Sequence, residues 1–441
     1  FPWLVRAGDA AARRYAYDDA VAFYRRAIDA AGGEVGPVYE RLGRIAHHAA
    51  RYEDGVAAYG RALDYWQAAG ETEAQARVRL GLAECHREMS AFGAAVGHAR
   101  AALETAEALP DRPDLVARAH VVLSNAFRTG QLAPPAAIRA HLEEAGALAE
   151  RAQEWQTVGE AHFWLGVVTV NGGDAARAVD HDRAALARFR QTGDAGWQAI
   201  ALNNLAYHCL LAGRPTEALA AAQEGVALAR AVGARNSEGW LLSTLGEIQL
   251  HLGQLEVARA TLEEGLAFVE AWGPPRLRPG FQHDLARVAI AREDWSGAEA
   301  LLCAAIAAAA ETAPQFVPRL RIALAEAHLG AGDAAQALDE ACAGRAAAAA
   351  KQQHSVEGRA WRIVAEAQAR LGDGEGAEAA FSRSLDLLEG VCDALEAART
   401  CAAWGEALLG CDDGRAAALL DAARGTFVRC QAEVDLQRWT S

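Results

Sequence analysis

The sequence predicts an all-α protein, a right-handed α-solenoid of about eleven helical hairpins with a period of roughly 40 residues. Three observations predict it. Alanine supplies 109 of the 441 residues and proline only 12, a composition that favours helix over strand. A chain of this length exceeds one ordinary globular core, so it divides into domains or forms a repeat array. Finally, one pattern of small residues and turn signals recurs along the whole chain.

The first helix of each unit carries a larger residue followed by a small one. The pairs are Ala7-Gly8, Leu42-Gly43, Leu82-Ala83, Leu123-Ser124, Leu165-Gly166, Leu205-Ala206, Leu245-Gly246, Leu285-Ala286, Leu324-Ala325 and Val364-Ala365, with a less regular eleventh at Trp404-Gly405. Units therefore begin near residues 4, 38, 78, 119, 161, 201, 241, 281, 320, 360 and 399, as one continuous array over 1–441. Twelve residues beyond the small member of most pairs stands another small residue, among them Ala20, Gly55, Ala95, Ala178, Ala218, Ala258, Ala298, Ala337 and Ala377, where two helices must approach closely. Between the two positions come helix-ending turns such as Gly172-Gly173-Asp174, Leu252-Gly253-Gln254, Gly332-Asp333 and Gly372-Asp373-Gly374. Prolines interrupt the pattern at three irregular junctions, 109–114, 131–136 and 272–279; the second is expected to lengthen its turn by about four residues.

The balance of 43 Lys+Arg against 58 Asp+Glu gives a formal charge of −15, which argues against a nucleic-acid-binding body. Lys351 is the only lysine and has no Gly-rich approach, so a phosphate-loop lysine or a Schiff-base lysine is not available. The eight cysteines are scattered without a Cys-x-x-Cys pair and read as reduced thiols of a cytoplasmic protein. No uninterrupted apolar run is long enough to span a bilayer. His47-His48 are helix neighbours about 100° apart, which does not favour chelation. Gly372–Gly376 imitates a phosphate loop but follows a helix, which makes it an inter-helix turn. No catalytic residue, metal ligand or cofactor is expected.

The small-residue register resembles that of the tetratricopeptide repeat (TPR) family. In detail Ala7-Gly8-Asp9-Ala10-Ala11, with the run Ala20–Ala27, is similar to the start of the sensor arms of MalT-like and other STAND-type signalling ATPases, and Leu202-Asn203-Asn204-Leu205-Ala206 is a phrase common to those arms and kinesin-light-chain repeats. The resemblance implies a ligand-sensing arm preceded by an ATPase or regulatory module. The opening Phe1-Pro2-Trp3, without an initiator Met, fits a piece of a longer polypeptide.

In a solenoid the first helices line the concave surface, so their residues that do not face the core form the groove. The outer units offer charges that read as solvated faces: Glu40, Arg44, His47 and His48; Glu84, Arg87 and Glu88; Arg362, Glu366 and Arg370. The middle units instead offer Asn125 and Arg128, then Phe163, Val167 and Asn171, then Asn203, Asn204 and Tyr207, then Trp240, Ser243 and Glu247, then His283 and Arg287. Aromatics beside amides and single charges suit ligand capture, although Phe163, Tyr207 and Trp240 could equally pack between units. The family resemblance implies that Asn204 contacts the main chain of a peptide. Seven of the eight tyrosines lie within the first 65 residues, which predicts either a bulkier core there or a docking surface for an upstream module.

These readings converge on a non-catalytic sensor that binds a peptide, protein or small inducer in its concave groove. The alternative is a constitutive interaction scaffold or oligomerisation module without a small ligand. Neither nucleic acid nor membrane is an expected partner.

Overall fold

The computed structural model of the chain describes residues 1–14, 16–31, 35–272 and 275–440; Tyr15, and Gly273 and Pro274 of the 272–279 junction, lie outside them. Among the described residues the chain forms twenty-three α-helices, one short 3₁₀ turn at Pro275–Leu277 and no strand. The hairpins are α1 (Pro2–Ala12) with α2 (Tyr17–Asp29), α3 (Gly36–His48) with α4 (Tyr52–Ala69), α5 (Thr72–Glu88) with α6 (Phe92–Glu107), α7 (Pro113–Gly130) with α8 (Pro135–Ala152), and α9 (Trp155–Asn171) with α10 (Ala175–Thr192). They continue as α11 (Ala195–Leu211) with α12 (Pro215–Val232), α13 (Arg235–His251) with α14 (Leu255–Trp272), α15 (Arg278–Ala291) with α16 (Trp295–Thr312), and α17 (Val317–Ala331) with α18 (Ala334–Ala350). Last come α19 (His354–Arg370) with α20 (Gly374–Gly390), α21 (Ala394–Leu408) with α22 (Asp413–Arg429), and a terminal helix α23 (Glu433–Thr440). The contacts divide the chain into two compact units. The first is Phe1–Val168 with Ala187–Thr192, the second Thr169–Leu186 with Gly193–Ser441.

The turns follow from a short recurring chemistry. Gly332 (φ 91°) and Gly372 (φ 86°) occupy the left-handed region, which glycine enters without a Cβ penalty, and so end α17 and α19. The next residues, Asp333 and Asp373, accept hydrogen bonds from the backbone N–H groups of Gln336 (3.0 Å) and Gly376 (2.9 Å) and so cap α18 and α20. One Gly-Asp step thus stops a helix and starts its partner. The segment at 131–134 corrects one expectation: it is only one residue longer than the α11–α12 turn at 212–214, because Pro134 and Pro135 stand at the start of α8 rather than in an enlarged loop.

Close helix approach explains the small residues. Ala20, Ala95, Ala178, Ala218, Ala258, Ala298 and Ala337 have no solvent exposure, so their single methyl group sets the inter-helix spacing. In the first unit large rings fill the space opposite glycines. Tyr24 packs on Gly8, where a Cβ would stand 2.6 Å from the ring, and Tyr59 lies against both Gly43 and Gly81. Tyr24 and Tyr59 are buried, and the Tyr24 hydroxyl donates to Asp9 Oδ1 at 2.7 Å, so of the two readings of the tyrosine-rich start these two rings belong to the bulkier core.

Within each unit first helices touch the first helices of neighbouring hairpins, α3 with α5 and α5 with α7 in one, and α11 through α21 at every step in the other. Second helices meet one another at most marginally, so the first helices form the inner face of each unit. Each unit is an α-solenoid built of hairpins. No helix among the described residues is long and apolar enough to cross a membrane.

Candidate functional site

Of the sequence-predicted site residues, Asn125, Arg128 and Phe163 belong to the first unit and the other nine to the second. On α7, Asn125 and Arg128 are half-buried, and Asn125 Oδ1 and Arg128 Nε are buried atoms without a hydrogen-bond partner among the described residues. The Arg128 guanidinium stacks on the Trp164 ring at 4.5 Å, and burial, with the nearby charge of Arg87, lowers its pKa to about 10. Phe163 is 5% exposed and sits edge-on to Trp164 at 4.7 Å, so its ring serves packing.

In the second unit α11, α13 and α15 present the amide-and-aromatic strip. Tyr207 and Trp240 are each 38% exposed, Asn171 is exposed at the end of α9, and Asn203, Asn204 and Ser243 are half-buried. Thr244 Oγ1 donates to Asn203 Oδ1 at 2.9 Å and stitches α13 to α11, which leaves Asn204 one residue further on. His283 is buried at 2% exposure beside Asp284, 2.9 Å away, and burial lowers its pKa to about 4, so the ring is neutral near pH 7 and packs between helices rather than facing a groove. Glu247 and Arg287 lie 3.7 Å apart across α13 and α15, with Glu247 held above the usual carboxylate range by burial and by the charge of Asp284.

Charged residues take over on α17, α19, α21 and α23. Arg362 donates to Glu326 Oε1 (2.6 Å) and Glu366 Oε1 (2.7 Å), Arg399 donates to Glu396 Oε1 (2.5 Å), and Arg399 also holds Asp435 through two hydrogen bonds of 2.8 and 2.7 Å. Arg359 Nε lies 3.2 Å from Glu396 Oε1. Burial alone would raise the Glu396 pKa, yet the guanidiniums of Arg359, Arg399 and Arg362 hold it well below the usual carboxylate range. The sequence reading of Arg362 and Glu366 as solvated is therefore corrected: they are 2% and 9% exposed, because neighbouring first helices and α23 cover them with opposite charge. Arg370, one turn further, is exposed as expected.

Beneath α23 these helices enclose a cavity of about 470 Å³, within the range of small-ligand sites. Its wall carries Arg287, Arg359, Arg362, Arg370, Arg399 and Arg438, and of the predicted site residues only Arg287 reaches it. The turn before α23 is tied to earlier helices of the unit: His251 Nε2–H donates to the Cys430 carbonyl at 2.7 Å, and Thr216 Oγ1 donates to Gln431 Oε1 at 3.2 Å. A signal for the charged network was present in the sequence, since Arg362 with Glu326 and Arg399 with Asp435 are each 36 residues apart, one helical turn short of the roughly 40-residue repeat, so opposite charges stand one turn out of register on neighbouring helices.

Residues 157–231 and 197–271 match the family model of the tetratricopeptide repeat. No curated protein matches the sequence. Among solved structures the chain is similar to a Rap protein complexed with competence and sporulation factor, with a TM-score of 0.64 and 14% identity over 83% of this chain and 99% of that one. It is also similar to the apo quorum sensor NprR from B. thuringiensis, with a TM-score of 0.59 and 13% identity over 79% and 97% of the two chains. A third likeness is to a signal transduction ATPase with numerous domains (STAND) that carries a tetratricopeptide repeat sensor, from Pyrococcus horikoshii, with a TM-score of 0.53 and 15% identity; it covers 73% of this chain and 50% of that protein. At these identities the solved structures bear on the fold, and the fold, the repeat register and the matched family model agree. The chain contains tetratricopeptide repeats, matched over residues 157–271.

Proposed function

We propose that the chain is a non-catalytic sensor that captures a peptide or protein segment, or a small inducer, on the inner face of its second unit, as the arm of a larger signalling protein. The observation that carries this reading is the pair Tyr207 and Trp240, each 38% exposed, on a first-helix face whose neighbours are amides and hydroxyls rather than core. Aromatic rings supply contact area at low entropy cost, and Asn203 and Asn204 are both donors and acceptors toward a peptide main chain. The Rap structure with its bound factor, the quorum sensor NprR and the STAND protein with its repeat sensor supply precedents of the same fold. In the parent protein, ligand binding would favour one arrangement of an attached ATPase or regulatory module over another, by as much as its affinities for the two differ.

The test is thermal-shift screening against peptides, sugars and fractionated cell extract, repeated with Asn204→Ala/Tyr207→Ala. A low-molecular-mass stabiliser that the double variant no longer binds, with helicity unchanged, is the expected result. Stabilisation by macromolecular fractions alone would instead identify a constitutive scaffold. Unchanged affinity in the double variant would remove this face from consideration.

A further inference from the structure

We infer that the arginine-walled cavity beneath α23 binds a compact polyanion, a small molecule whose phosphate or carboxylate groups carry at least two neighbouring negative charges. This deepens the proposal above and rests on its view of the second unit's inner face as a binding surface. Six arginines line the cavity beside the carboxylates of Glu293, Glu326, Glu366 and Asp435, and Glu247, Asp284 and Glu396, which do not line it, also lie within ion-pair range of these arginines. What favours an anion here is a guanidinium in a partly enclosed space without a close counter-charge.

The donors are distributed unequally. Arg362 and Arg399 are held by hydrogen bonds to the carboxylates already described. Arg370 donates to the Leu329 carbonyl and has no carboxylate in ion-pair range among the described residues. The nearest carboxylates to Arg287 lie at 3.7 Å and the nearest to Arg438 at 3.9 Å, beyond hydrogen-bond distance. Three guanidiniums, from α15, α19 and α23, thus keep free N–H donors in one cavity. A guanidinium presents five donors in a planar fork that matches phosphate and carboxylate oxygens. The volume of about 470 Å³ suits a small molecule, and the apolar wall formed by Leu250, Ile290, Leu329 and the ring of Trp439 strengthens charge recognition. A neutral sugar would bring these three guanidiniums no counter-charge. An anion that bridges Arg438 to Arg287 and Arg370 also ties the terminal helix to the body of the unit, so occupancy reports through α23.

The experiment uses the full chain with pyrophosphate and with citrate, each against sodium chloride of equal ionic strength and against neutral maltose. The expected result is a rise in Tm and a calorimetric binding isotherm with at least one of the two anions, with slower amide exchange over residues 433–440. Which anion binds assigns the phosphate or the carboxylate source. Arg370→Ala and Arg438→Ala should each weaken binding about tenfold or more, and Arg370→Lys should recover part of it; both side chains are exposed enough for their loss to leave the fold intact. No stabilisation beyond matched sodium chloride by either anion overturns the proposal, as does stabilisation that survives the Arg370→Ala/Arg438→Ala double variant. Neither Asn204, Tyr207 nor Trp240 lines this cavity, so a negative result here leaves the Asn204/Tyr207 test standing, and the reverse also holds.

Discussion

Two stretches of the second unit's inner face solve the same problem differently. On α11 and α13 the face carries Asn203, Asn204, Tyr207, Trp240 and Ser243, which remain partly exposed with few internal partners. On α17, α19 and α21 it carries Glu326, Arg359, Arg362, Glu366, Glu396 and Arg399, which pair with one another and lie half-buried or buried. Both occupy first-helix positions that the core does not claim. The difference teaches that position in the repeat sets which residues face inward, whereas pairing across successive helices sets whether they stay open to a ligand.

The largest effect should come from the charged stretch. Glu396→Gln leaves Arg359, Arg362 and Arg399 short of a buried counter-charge and should cost about 3–5 kcal/mol in urea unfolding; a loss under about 1 kcal/mol would mean that water already screens the network. Acid should act in the same direction. With its folded pKa depressed, Glu396 contributes stability above its unfolded pKa of about 4.3, and that contribution is lost as pH falls through the lower folded value. Glu247, whose folded pKa is raised, has the opposite sign, so Glu247→Gln at neutral pH should be neutral or stabilising by up to about 1 kcal/mol.

His283 sharpens the boundary between the stretches. Its folded pKa of about 4 lies below the unfolded value of about 6.5, so the unfolded chain binds the proton first and stability declines as pH falls between them, by roughly 3 kcal/mol in all. In His283→Gln that decline should be absent from the pH dependence of Tm. Gly358→Ala tests packing under the charged stretch: its Cβ would stand 2.6 Å from Leu388 Cγ, and the overpacking should cost about 1–3 kcal/mol. The smallest effect belongs to the open stretch, where Asn204→Ala/Tyr207→Ala should change unfolding free energy by less than about 1 kcal/mol while binding is lost. A large stability loss there would assign Tyr207 to packing.

The fold was legible because its cause is local. Ala218, Ala258, Ala298 and Ala337 mark close helix approaches at a fixed offset from Leu205-Ala206, Leu245-Gly246, Leu285-Ala286 and Leu324-Ala325, and Gly-Asp steps mark the turns, so each hairpin announces itself within about 40 residues. The site was legible only in part. Tyr207 and Trp240 are exposed where helical counting puts them, but the same counting cannot distinguish a solvated Arg370 from a buried Arg362 eight residues earlier on the same face. That distinction depends on Glu326 of the preceding first helix and on the return of α23, a contact made by residues far apart in the chain. Phe163 and His283 show the same gap, since both lie at inward positions yet pack against neighbours.

The fit of rings and branched side chains into glycine gaps has a further implication. Gly43 and Gly81 share Tyr59, Gly159 faces Phe189, Gly225 faces Leu241, Gly265 faces Phe281 and Gly358 faces Leu388, so adjoining helices carry lock and key in different sizes along the array. The modules are consequently not interchangeable cassettes: shuffling or deleting one would set a phenyl ring against a methyl, or a gap against a gap. Lengthening such an array by duplication would require both halves of each new seam to change together, which ties each module's lineage to that of its immediate neighbours.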